Sequence, residues 1–146
     1  MTYARILVPT DFSADADHAL EHAIGLARQF QSRLTLVHVV HLYLPGSAEA
    51  GFPAYVEQLR RDADQQLQAP RSRVEATEVP FETCTEMGVP ADRIVEVARD
   101  RQVDLIVMGT QGRTGLPHLL LGSVAEHVVR LAPCPVLVTR KGAAPQ

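Results

Sequence analysis

Apolar positions along this chain follow two alternating rhythms. Nearly continuous apolar runs occur at 3–9 (YARILVP), 33–40 (RLTLVHVV) and 103–108 (VDLIVM). Such runs read as buried parallel strands, because a strand covered on both faces has no polar side to alternate with. Between them the period lengthens. Ala16, Ala19, Leu20, Ala23, Ile24 and Ala27 form one apolar stripe on a helix over 14–30, with Ser13 placed to cap its first turn. The alanines let that helix lie close against a sheet.

The remaining segments continue the alternation. Residues 41–53 carry Pro45, Gly46, Gly51 and Pro53 and read as an irregular excursion. A polar helix with a thin apolar stripe is expected over 54–69. A third strand is expected over 74–84, with Pro80 confining it to an edge or a bulge. Gly88-Val89-Pro90 opens a helix with Ile94, Val95 and Ala98 on its inner face. A last helix over 123–132 precedes a last strand, Cys134 to Thr139. Five strands alternating with four helices predict a parallel sheet with helices on both faces, in one domain spanning 1–146.

Composition narrows the function. The chain has 146 residues, 46% hydrophobic and 21% charged, with a formal charge of −3. That balance suits an ordinary globular domain and gives no broad pull toward nucleic acid or an anionic membrane. Phosphate recognition must then come from local geometry. Cys84 and Cys134 are the only cysteines; they form no disulfide framework and no CxxC pair, and read as two small buried hydrophobes. The start, MTYARILVPTDFS, shows no secretory leader, and no apolar run approaches about 18 residues, so a cytoplasmic protein is expected.

The stretch Met108-Gly109-Thr110-Gln111-Gly112-Arg113-Thr114-Gly115 runs on to Leu121-Gly122-Ser123 and carries the candidate chemistry. It follows the most convincing central strand and leads into a helix. Open α/β sheets bind ligands at the carboxyl ends of such strands. A helix amino terminus there offers unpaired N–H groups and a partial positive charge, which favours phosphate. Gly109, Gly112 and Gly122 allow close main-chain approach to phosphate oxygens. Ser123 is placed to cap the helix and donate to the same anion, and Arg113 to add a charge-assisted contact. Neither GxGxxG nor GxxxxGK[ST] is present, so this is no dinucleotide or P-loop fingerprint. A lone GxxG would ordinarily shape a turn and nothing else; its place after a central strand and the second Gly-Ser pair set this one apart.

With these residues the chain resembles the universal stress protein family, and specifically its ATP-binding branch. The branch motif G-x2-G-x9-G-[ST] is matched by Gly109, Gly112, Gly122 and Ser123. The likeness extends through ILVPTDFS, LVHVV, MGVPADRIVEVA and LLLGSVAEHVVRLAPCPVLVTR, nearly the whole chain. It implies a flavodoxin-like, Rossmann-like single-domain sheet ordered 3-2-1-4-5. It also implies an ATP site, with Mg²⁺ or Mn²⁺ beside the phosphates. By position, Pro9, Thr10 and Asp11 would meet the adenosine, with the Asp11 carboxylate accepting from ribose hydroxyls. Val39 would line the adenine slot, and Met108, Gly109, Gly112, Gly122, Ser123 and Val124 would hold the phosphates. A homodimer through the last strand, 136–138, is implied as well. Asp11 has a second role open to it, as a cap beside Ser13.

Other signals lead elsewhere. His18, Glu21 and His22 match an H-x-x-E-H string. At 100° per residue they fall opposite the apolar stripe, on a solvated face, and nothing supplies a third ligand or a cleft. His38 reads as a satisfied core or interface histidine. The leading function is a regulatory ATP-binding module in stress adaptation. The alternatives are a slow ATPase or phosphoryl or adenylyl transferase, for which no clear base is visible, and a nucleotide-free interaction domain that keeps the loop for structure.

Overall fold

The computed structural model describes residues 2–42, 51–110 and 121–141. In chain order the elements are β1 (Arg5–Pro9), α1 (Ala14–Phe30), β2 (Arg33–His41), α2 (Phe52–Glu75), β3 (Phe81–Gly88), α3 (Pro90–Asp100), β4 (Leu105–Gly109), α4 (Ser123–Leu131) and β5 (Val136–Thr139). The strands form one sheet ordered β3-β2-β1-β4-β5, and each pair is parallel. This is the expected order 3-2-1-4-5. Among the described residues, no helix is long and apolar enough to cross a membrane.

The central strands bury both faces because successive side chains point to opposite sides of a sheet. Ile6 and Val8 of β1, Leu34 and Leu36 of β2, and Leu105 and Val107 of β4 join Leu20 and Ile24 of α1 and Leu67 and Val74 of α2. Leu7, Val37, Ile106 and Met108 project the other way, onto Ile94 and Val97 of α3 and Ala125 and Val128 of α4. Each fully buried Leu, Ile or Val stabilises the fold by roughly 1.5–3 kcal/mol. Their register leaves β1 in the middle of two layers.

One segment departs from the sequence expectation. Residues 74–75 end α2, and β3 starts at Phe81. The VEATEV alternation suggested a strand, but Ala63, Leu67, Pro70 and Val74 make one buried helical stripe, and anchoring Val74 in the core carries the helix past 69. Pro80 precedes the strand; its carbonyl accepts from the Leu34 amide at 3.0 Å, so its missing N–H costs no ladder bond. The edge placement of β3 is as expected.

Candidate functional site

The chain leaves β1 toward β2 and β3 on one side, and reaches β4 and β5 on the other. The direction of winding therefore reverses between β1 and β4, and the crevice outside their carboxyl ends is the switch point where such sheets receive ligands. Pro9 closes β1 and is buried, as is Thr10. The Thr10 amide donates to the Val37 carbonyl at 2.8 Å, carrying the ladder one residue beyond the strand.

The turn that follows is held by its own side chains. Thr10 Oγ1 accepts from the Phe12 amide (3.0 Å), and Asp11 Oδ1 accepts from the Ser13 amide (3.0 Å). Ser13 Oγ accepts from the Ala16 amide (3.1 Å) and caps α1 as its sequence predicts. Phe12 sits at φ 67°, an unusual backbone for a bulky residue and one that costs energy. Packing offsets that cost, since Phe12 rests against the core of the α1 face and its ring lies 4.4 Å from that of His38. His38 Nδ1 lies 2.8 Å from the Thr10 carbonyl. A carbonyl only accepts, so Nδ1 carries the proton there. His38 is thus a satisfied histidine that pins the turn to β2, next to half-buried Val39.

Across the crevice, β4 ends on buried Met108 and half-buried Gly109. Thr110 then makes three connections. Its amide donates to the Thr139 carbonyl (2.9 Å), its hydroxyl donates to Asp15 Oδ2 (3.2 Å), and its carbonyl accepts from the Gly122 amide (2.5 Å). The last bond brings the two ends of the glycine loop together. Asp15 Oδ1 also accepts from the Lys141 amide at 3.3 Å. Gly109 faces α1 so closely that an added Cβ would stand 2.9 Å from both the carbonyl carbon and the Cβ of Asp15. Gly112 and Arg113, with Gln111 and His118, lie outside the described residues.

The start of α4 differs from the sequence expectation. Gly122 is the N-cap, in extended conformation, and among the described residues no side chain caps the helix. Ser123 is its exposed first residue instead. The first intrahelical bond runs from the Glu126 amide to the Gly122 carbonyl (3.0 Å). The amides of Ser123, Val124 and Ala125 precede it and need an acceptor from outside the helix. Beside Gly109 in the ladder stands Thr139; its buried hydroxyl oxygen has no hydrogen-bond partner among the described residues.

Phe12, Asp15, His38 and Thr110 therefore position the crevice, and sequence reasoning assigned none of them that task. Asp15 reads locally as an acid in a first helical turn, and Thr110 as loop filler; only the fold joins them. The cysteines stand apart from this chemistry. Both are half-buried rather than buried. Burial, together with the neighbouring Glu86 carboxylate, pushes the Cys84 thiol up to about 11, so it stays protonated and unreactive near neutral pH. Among the described residues, no three or more His, Cys, Asp or Glu gather where they could hold a metal ion.

These features define an open, doubly wound α/β domain with its candidate site at the switch point. A model of the universal stress protein family matches residues 2–140. The chain belongs to that family. Universal stress protein MJ0531 of Methanocaldococcus jannaschii is 40% identical over 141 residues, covering 95% of this chain and 83% of that protein. The solved structure of MJ0577 from the same organism superposes over 99% of this chain and 100% of that one, with 31% identity and a TM-score of 0.90. A universal stress protein from Archaeoglobus fulgidus, solved in complex with dAMP, is 26% identical over 94% of this chain and 98% of that one, with a TM-score of 0.67.

Proposed function

We propose that this protein is an ATP-binding regulator of the stress response that works as a homodimer. The observation that carries the reading is the amino end of α4. Among the described residues it has no side-chain cap, its first amides lack acceptors within the helix, and the Gly122–Thr110 bond holds it at the end of β4. Amides in that state suit the oxygens of a phosphate chain. The dAMP complex of the Archaeoglobus relative supports an adenine nucleotide as the ligand class.

In this reading Pro9, Thr10 and Asp11 meet the adenosine, and Val39 lines the base slot. Met108, Gly109, Gly112, Arg113, Gly122, Ser123 and Val124 receive the phosphates. The Asp11 carboxylate serves the turn through Oδ1 and the ribose hydroxyls as well, so its two candidate roles coexist. The polar groups of Thr10 are largely committed to the turn and to His38, so Thr10 contributes shape more than hydrogen bonds. Mg²⁺ or Mn²⁺ enters with the phosphates rather than in a protein cage.

Titration calorimetry with Mg-ATP tests the ribose assignment. Asp11→Asn keeps an oxygen for the Ser13 amide but loses the charge. It is expected to weaken ATP by about 10-fold or more, the effect of roughly 1.5–3 kcal/mol from hydrogen bonds to a charged acceptor, with the circular dichroism unchanged. Equal affinity in both proteins would return Asp11 to a purely structural role.

Dimerisation is proposed through residues 136–138. β5 is a sheet edge, and Leu137, Val129 and Leu131 leave 39%, 47% and 47% of their surfaces exposed. An edge strand with apolar neighbours is a ready surface for pairing with a second copy. Light scattering at micromolar concentration is expected to give twice the chain mass, and Leu137→Lys to give the monomer. A wild-type monomer would contradict the interface.

A further inference from the structure

The H-x-x-E-H string on α1 lies on the solvent side, as its helical phase predicts: His18 is half-buried and His22 exposed. The rings show more than the string does. His18 Nε2 and His22 Nε2 stand 3.3 Å apart, with ring planes at 81° and centroids 4.7 Å apart. Residues four apart share a helix face, yet most rotamer combinations do not bring the same nitrogen of each ring within 3.3 Å of the other.

That separation has a chemical meaning. Two imidazole nitrogens bound to zinc at about 2.0–2.1 Å, with a tetrahedral angle between them, lie about 3.3–3.4 Å from each other. The geometry points to a chelating site for a divalent transition-metal ion of the zinc class, held by Nε2 of His18 and Nε2 of His22. Imidazole suits zinc, copper and nickel and not the hard cations that accompany nucleotides, so this site and the proposed ATP site call for different metals. In the metal-free pair one Nε2–H donates to the other Nε2. When the ion binds, that proton moves to Nδ1 of its own ring through solvent, and both lone pairs face the metal.

Among the described residues no third metal-ligating side chain joins the pair. Water or an outside ligand fills the remaining positions, and the site is an open two-ligand chelate rather than a protease centre. Binding would also clip one turn of α1 and raise the melting temperature in proportion to occupancy.

The test is a Zn²⁺ titration of the full-length protein, followed by the imidazole ring resonances in NMR spectra. The ring signals of His18 and His22 are expected to shift together and saturate at one ion per chain. His22→Ala, an exposed substitution that favours helix, is expected to raise the dissociation constant by roughly 10-fold or more, since losing even an outer-shell partner weakens metal sites about 10–100-fold. Rings that do not respond to zinc would overturn the site. So would equal zinc affinity in the wild type and His22→Ala, which would leave the 3.3 Å contact as a hydrogen bond alone.

Discussion

Gly122→Val is expected to leave the fold standing and to weaken Mg-ATP by about 100-fold, as the loss of two charge-assisted hydrogen bonds of roughly 1.5 kcal/mol each implies. At φ −70° and ψ 166°, Gly122 occupies extended backbone open to any L-residue. Valine can adopt that backbone conformation and forfeits N-cap preference, about 1 kcal/mol. Its branched side chain, however, would stand at the mouth of the α4 amides, where phosphate oxygens are proposed to approach. Calorimetry reads the affinity, and a thermal melt without nucleotide reads the fold. Unchanged affinity would reduce the loop to a structural element.

Gly109→Ala is expected to behave in the opposite way, lowering stability before any ligand is added. The new methyl would meet the backbone of α1 at 2.9 Å from the Asp15 carbonyl carbon. Asp15 has little room to retreat, being tied to Thr110 and to the Lys141 amide. Overpacking of this kind costs about 1–3 kcal/mol, and each kcal/mol lowers Tm by roughly 2–4 °C at this chain size. Differential scanning fluorimetry of the nucleotide-free protein checks it; an unchanged Tm would show that α1 yields freely. Two glycines of one motif thus carry different burdens. Gly109 makes room for a helix in addition to its proposed place at the phosphates, and Gly122 is proposed to make room for a ligand.

That difference marks where sequence reasoning stops. The apolar runs of β1, β2 and β4 announced themselves because both sheet faces are covered, and the alanine stripe of α1 and its Ser13 cap are local patterns. The close approach of Gly109 to Asp15 was invisible to spacing, because it depends on where α1 lies. The His38–Thr10 and Thr110–Asp15 bonds join residues 28 and 95 positions apart, beyond any local signal. The strand expected at 74–84 starts only at Phe81 for a related reason: β-branched alternation in VEATEV was outweighed by burial of Val74 on a helical stripe. Ser123 was read as the cap of α4, a role that falls to Gly122. The chemistry of Gly112 and Arg113 rests on the motif, since both lie outside the described residues.

Mass spectrometry of the small molecules released by acid from purified, undialysed protein shows whether the chain carries a nucleotide. ATP or ADP is expected close to one per chain, and their ratio reports whether the bound nucleotide is hydrolysed. AMP alone would keep the crevice and remove the phosphate assignment at α4. No nucleotide at all, with no uptake of added millimolar Mg-ATP, would rule out ATP binding and leave the loop as structure only.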